Sequence, residues 1–427
     1  MATPKLALIP TGYKAGKLYS VLPESGVGDF TVVRATEATR VNEEGLIETM
    51  GANVPRLDYS GGGCPVLLTE GQRTNLVTYS EDFSDAAWVK TRTTAVANQL
   101  ISPDGNLNAY KLSETADSGL HAVSINTSVV IGTTYNFSVF AKKGSSSFIQ
   151  ILFGTNNVSG NPYVNIDLDA GTFQNNGISS VNIENYGNGW YRCSGTIVIS
   201  GGTNLTYYLA KINSLSATRA SGFGGNVNNS IYIWGAMLEA GSYPTSYIKT
   251  EGSAVTRNGD QVYGAGDAAT FNDSEGVLMA EISALANDGT NRRISISNGS
   301  TSDRVVLGYT ASSNQLIVLV SSNSVSGVAS LVNIDNSLQF NKIALKYKLN
   351  DFALWINGIE VLTDNSLNSP IGLNDLSFEG ADNLNDFYGN TKQVQYFNTA
   401  LTDSELETLT SWTSFIEMAQ AQNYNII

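Results

Sequence analysis

The sequence predicts a mainly β protein: an N-terminal region over residues 1–74, two β-sandwich (jelly-roll) domains over 75–250 and 256–427, and short helices at the C-terminus. Three observations predict it. Short apolar runs recur with strand-like alternation, as where Tyr135, Phe137 and Val139 are interleaved with Asn136 and Ser138. Clusters such as Gly154-Thr-Asn-Asn157 and Gly187-Asn-Gly189 cut these runs at strand length. No long helical period intervenes before the capping box Thr402-Asp-Ser-Glu405. Many short strands separated by turn chemistry are the pattern of a sandwich or jelly roll.

In chain order, residues 1–23 hold Lys5, Lys14 and Lys17 and no acid, so they carry +3 and leave −17 on the rest. With Pro4, Pro10, Gly12, Gly16 and Pro23 this stretch reads as extended or irregular. It is either a loose terminus or an arm that docks on an acidic surface. Phe30–Val33, Gly45–Glu48 and Cys64–Thr69 read as strands in a stretch too short and polar for a core of its own. From Asn75 to Lys249 the strands are Phe148–Phe153, Tyr163–Asp167, Gly195–Ile199 and Ser230–Gly235, besides the one around Phe137. Glu251-Gly-Ser-Ala254 reads as a hinge.

Beyond it, Gly276–Glu281, Arg304–Tyr309, Gln315–Val320 and Asn341–Tyr347 are strands. Phe352–Ile356 and Ile359–Leu362 flank Asn357-Gly358, a type I′ hairpin signal, because both residues accept positive φ. The helix opened by Thr402 places Leu406, Leu409 and Trp412 on its apolar stripe, and Ser414–Glu417 repeats the box before a second short helix.

The composition excludes much chemistry. The 427 residues include 24 basic and 38 acidic side chains, a net charge of −14, which disfavours nucleic acid as a partner. Cys64, Cys193 and His121 are the only Cys and His residues, so a closed zinc site would need carboxylates and a catalytic triad would have to use His121. His121 lies in a strand-like run and reads as structural; the cysteines read as free, buried thiols. No apolar run nears the roughly 20 residues that span a bilayer, so no membrane insertion is expected. The N-terminal residues lack a signal peptide's apolar stretch, which points to synthesis in a cytoplasm.

Three stretches carry a resemblance. Residues 30–83, with Ala38-Thr-Arg-Val-Asn-Glu-Glu-Gly-Leu-Ile47, Pro55-Arg-Leu-Asp-Tyr59 and Glu70-Gly-Gln-Arg-Thr-Asn-Leu76, resemble bacteriophage fibre and structural proteins. Asn188-Gly-Trp-Tyr-Arg192 and Ile231–Ile248 resemble the interior and closing strand of a carbohydrate-binding-like jelly roll. Phe352–Leu362 with Val394–Asp403 resembles a concanavalin A-like, laminin-G-type sandwich. The resemblance implies a head or tail fibre on the virion surface, made in the host bacterial cytoplasm. It also implies a homotrimer, attachment through the N-terminal region to a capsid or tail protein, and binding of host-surface glycans. A bacterial surface adhesin and a polysaccharide depolymerase are the alternatives.

Sugar recognition needs flat aromatic faces ringed by planar polar groups. Trp88, Tyr207, Tyr208, Tyr243 and Tyr247 are the candidate glycan platforms, and Lys5, Lys14 and Lys17 the candidate attachment residues. Trp190, Trp234 and Trp355 sit in strand patterns and read as core. Asp167 with Asp169, and Asp375 with Glu379, have spacings that facing hydrolytic carboxylates can take, but no motif singles out either pair, so no enzyme activity is expected. No cofactor is expected. Calcium is possible at Asp382-Asn-Leu-Asn-Asp386, without the pattern of an EF-hand loop.

Overall fold

The computed structural model describes residues 2–414, 417 and 418. The chain forms two compact units, the first of residues 1–37, 50–71 and 258–427, the second of 38–49 and 72–257.

The second unit is a sandwich of two six-stranded antiparallel sheets. One runs in the order Val89–Thr91, His121–Ser128, Asn204–Lys211, Phe148–Phe153, Tyr163–Asp167, Thr172–Asn176. The other runs Thr93–Ile101, Leu107–Glu114, Ser230–Ala240, Thr134–Lys143, Trp190–Val198, Ser180–Asn185. Alternate side chains from both sheets, among them Phe137, Val139, Ile151, Tyr207 and Leu209, meet in one core. Each sheet also has apolar residues on its outer face. Trp190, Trp234, Met237 and Tyr247 cluster behind the second sheet. Ala122, Leu152 and Ala210 lie behind the first, with Tyr208 packed on them.

The first unit has an eight-stranded sheet. Its order is Ile359–Asp364, Phe352–Ile356, Asn341–Lys348, Glu275–Ala284, Gly389–Phe397, Val66–Thr69, Arg56–Asp58, with Leu6–Leu8 also paired to Gly389–Phe397. A five-stranded sheet of Val325–Asn333, Gln315–Ser322, Arg304–Tyr309, Arg292–Ser297 and Asp375–Ser377 shares its core. The expected helix is Asp403–Thr410, with both capping-box bonds made between Thr402 and Glu405 and with Leu406 buried. Leu409 packs beside it, whereas Trp412 lies past the helix, under the Lys342 ammonium 4.4 Å from its ring centroid. The second box at Ser414–Glu417 runs into Phe415 and Ile416, which lie outside the described residues.

Three expectations about organisation are corrected. Residues 1–74 are not a separate region, and the stretch 1–23 is not an irregular arm, since it holds the strands Leu6–Leu8, Tyr13–Lys14 and Lys17–Leu18. Leu6, Leu8, Leu57 and Leu67 bury in the core of the first unit, because the stretch has too few apolar residues for its own. Lys5 and Lys14 stay exposed and Lys17 half-buried, on folded backbone: Lys5 precedes the first strand, and Lys14 and Lys17 pair in a hairpin. The expected hinge at 251–254 lies inside the second unit, since Val255–Arg257 pairs with Arg73–Asn75 and the chain changes unit after Arg257.

The Asn357-Gly358 turn has φ of 51° and 86° as the type I′ geometry requires, and a Cβ on Gly358 would stand 2.7 Å from Ser411 Oγ. Gly358→Ala is therefore expected to cost the first unit about 1–2 kcal/mol of stability, read as lower hydrogen-exchange protection in its core strands.

Candidate functional site

Tyr207 and Tyr208 are neighbours on one strand, so their side chains take opposite faces of the sheet. Tyr207 enters the core, fully buried and stacked on Phe153 at 5.9 Å between centroids. Burial pushes its phenol well above the usual tyrosine range. Tyr208 turns outward and stays half-buried.

The segment after this strand folds back across the same outer face. Two buried side-chain amides hold it. Gln150 Nε2 donates to Thr218 O at 3.0 Å and to Asn165 Oδ1 at 2.7 Å, and Gln150 Oε1 accepts from the Ala220 N–H at 2.7 Å. Asn165 Nδ2 donates to Leu215 O at 2.8 Å and Ala217 O at 2.7 Å. Arg219, carried on this segment, donates from Nη2 to Phe153 O. Opposite, the Gly154–Asn157 turn is tied to the 200–204 loop by Asn157 Nδ2, which donates to Gly201 O at 3.1 Å and Asn204 O at 2.8 Å.

The result is a groove of about 560 Å3. Leu120, Leu152 and Ala220 supply its apolar lining; Asn156, Asn204, Thr206 and Arg219 are among its polar lining, and Tyr208 offers a ring. That volume falls in the range of about 300–1,000 Å3 usual for small-ligand sites.

Of the five aromatic candidates, the structure places only Tyr208 in this groove. Trp88, Tyr207 and Tyr247 are corrected: all three are buried and offer no ring face to a sugar. Trp88 Nε1 donates to Tyr79 O at 2.8 Å, with its ring 4.8 Å from Phe83. The Tyr247 hydroxyl sits 2.7 Å from Ser80 Oγ and 3.0 Å from Glu81 Oε1, with its ring against Trp234 at 4.5 Å. Tyr243 is half-buried, with the Arg73 guanidinium 5.3 Å from its ring centroid. The Trp190, Trp234 and Trp355 side chains are buried, as read. Sequence reasoning missed Arg219, the lone cation of the polar loop Ser214–Gly222.

Of the carboxylate pairs, Asp169 is exposed and paired with Lys143 at 2.7 Å, while Asp167 caps the turn by accepting from the Asp169 N–H at 2.9 Å. Asp375 and Glu379 do come together, with Asp386, in a cavity of about 370 Å3 in the first unit. Burial pushes all three above the ordinary carboxylate range. An acid whose folded pKa exceeds its unfolded value near 4 stabilises the fold when protonated. That contribution is complete below about pH 4 and is lost as pH rises through the folded values. The first unit is therefore expected to gain protection against hydrogen exchange from these acids as pH is lowered from neutral towards about 4, after correction for intrinsic rates, and Glu379→Gln should reduce the gain.

Among the described residues no group of three or more His, Cys, Asp or Glu is placed to hold a metal ion. In the loop considered for calcium, Asp382 accepts from the Leu384 N–H and Asn385 Nδ2, both at 3.0 Å, and pairs with Arg293 at 3.4 Å. His121 is fully buried, its Nδ1 2.6 Å from Arg92 O and its Nε2 3.3 Å from Phe223 O, a structural placement. Cys193 is free and buried as expected, and burial raises its thiol pKa; Cys64 is free but exposed, which corrects the expectation, because it follows the exposed Gly61–Gly63 turn. No described helix is long and apolar enough to cross a membrane.

No protein-family model matches the chain. No curated protein matches it. Among solved structures it is similar to the CBM40 of the Ruminococcus gnavus IT-sialidase bound to α2,3 sialyllactose. The identity there is 16% over 35% of this chain and 88% of that one, with a TM-score of 0.28. It is also similar to domains LG4-5 of the mouse laminin α1 chain, at 9% identity over 67% of this chain and 89% of that one, with a TM-score of 0.24. A third is the Trypanosoma rangeli sialidase in complex with sialic acid, at 11% identity over 90% and 77%, with a TM-score of 0.26. Likeness of this depth decides nothing about ligand or activity.

Proposed function

We propose that this chain is a non-enzymatic glycan-binding protein that holds sugar in the Tyr208 groove. One observation carries the reading: an outward aromatic ring on an apolar floor, ringed by amide, hydroxyl and guanidinium groups. A pyranose has apolar C–H faces and a girdle of hydroxyls, and this lining offers a partner to each. Tyr208→Ala is expected to lower glycan-array affinity at least tenfold while leaving the far-UV circular dichroism unchanged. An array on which the native chain binds no glycan sinks the reading, and turnover of any polysaccharide contradicts its non-enzymatic part.

The setting proposed for this activity is a trimeric bacteriophage fibre on the virion surface, reading host-surface glycans and attached through its N-terminal residues, Lys5, Lys14 and Lys17 among them. What supports it is the resemblance of residues 30–83 and a composition suited to display, with 15% charged residues against about 25% in an average protein. Deleting residues 1–23 is a poor test, because it strips Leu6–Leu8 from the main sheet. The triple substitution of Lys5, Lys14 and Lys17 by Gln keeps the fold and is expected to abolish incorporation into particles. A clean monomer by mass photometry at micromolar concentration contradicts the trimer.

A further inference from the structure

We propose that the Tyr208 groove takes a sugar bearing a carboxylate, with Arg219 as the group that reads it. The inference deepens the glycan-binding reading and rests on it.

The first argument is charge. The chain carries 38 acids against 24 bases, yet no acid lines this groove and Arg219 is its one charged lining residue among those described. An acidic protein that keeps its carboxylates out of a cavity leaves room there for an anion.

The second argument is the state of the guanidinium. Arg219 donates from Nη2 to Phe153 O, and its Nε is buried without a partner. No carboxylate among the described residues pairs with it. A guanidinium has five N–H donors in a planar fork that matches a carboxylate, and most of this one's capacity is unspent. A half-buried cation whose protein partner is a neutral carbonyl has its lost hydration only partly offset, and a bound carboxylate offsets more of it than a neutral sugar does.

The third argument is preorganisation. Gln150 and Asn165, both fully buried, fix the loop on either side of Arg219 through its backbone. The next residue, Ala220, is held at φ 52°, a left-handed conformation that a non-glycine residue adopts at a cost. A loop held this way loses little further freedom on binding.

The test uses the full chain and isothermal titration at low salt with 3′-sialyllactose, trigalacturonic acid, and the carboxyl-reduced form of each. At least one acid is expected to bind tenfold or more tightly than its reduced form, and which acid does so separates a sialic from a uronic source. Arg219→Gln should bring that acid down to the level of its reduced form, whereas Tyr208→Ala should weaken both forms alike. Equal affinity for acid and reduced forms in the native chain, or a preference that survives in Arg219→Gln, overturns the carboxylate proposal and leaves glycan binding standing. No binding of either form at millimolar concentration overturns the carboxylate proposal alone where the glycan array shows another ligand, and overturns both where the array shows none.

Discussion

Asp260→Ala is expected to destabilise the first unit by about 3–5 kcal/mol, as breaking a buried ion pair from one side does. Asp260 sits between two arginines, with Arg34 Nη1 2.8 Å from its Oδ1 and Arg56 Nη2 on its Oδ2. Arg56 also reaches Glu70 Oε2 at 2.5 Å, and the Glu70 N–H donates to Asp260 Oδ2 at 2.8 Å. All four residues are buried, so two positive and two negative groups balance away from water. Burial alone would lower the Arg56 pKa, but Asp260 and Glu70 together outweigh it and hold the guanidinium above its ordinary value. Removing Asp260 leaves two guanidiniums against one carboxylate and orphans a backbone donor. With two units in the chain a single unfolding free energy is poorly defined, so the readout is segment-resolved hydrogen exchange. Protection in the most stable strands of the first unit should fall by roughly a hundred- to several-thousand-fold. A change below about tenfold would mean that the cluster adds little. Replacing all four charged residues by apolar ones of similar volume should recover much of the loss, which separates uncompensated charge from lost packing.

This cluster illustrates what the sequence could and could not reveal. Some strands bounded by turn chemistry were legible to the residue, as Phe148–Phe153, Tyr163–Asp167 and Phe352–Ile356 are, whereas Gly195–Ile199 and Ser230–Gly235 were read too short for the observed Trp190–Val198 and Ser230–Ala240. Local alternation and local turns contain that information. The fate of residues 1–74 was not legible, because Leu6–Leu8 pairs with Val394–Tyr396, far along the chain, and Arg56 finds Asp260. In the groove, period-two alternation already says that Tyr207 and Tyr208 cannot both face a ligand. Which of them faces out depends on where the second sheet packs. Arg219 lay hidden for a related reason: Gln150 and Asn165, polar residues in mid-strand, are what place its loop, and their bonds reach 50 to 70 residues along the chain. The same holds for Asp375, Glu379 and Asp386, whose shared cavity is a product of folding rather than of spacing.

Trp88→Ala is expected to cost about 3–5 kcal/mol in the second unit, the usual range for emptying a large buried aromatic site. The indole packs between Phe83 at 4.8 Å and Tyr207 at 6.5 Å, and its Nε1 satisfies the Tyr79 carbonyl. Truncation removes those contacts, opens a cavity in the sandwich and leaves a half-buried carbonyl without its indole donor. Hydrogen-exchange protection should therefore collapse in the Thr134–Lys143 and Ser230–Ala240 strands while the core strands of the first unit keep theirs. Trp88→Phe, which keeps most of the apolar volume but not the N–H, should cost only part of that amount. Tyr208→Ala makes the opposite signature: protection stays and glycan affinity goes, because that ring lies outside the main core. The contrast decides between the two uses of an aromatic residue in this unit. If Trp88→Ala instead left protection intact and abolished glycan binding, the indole would be a ligand platform in solution, and the groove at Tyr208 would lose its claim to be the site.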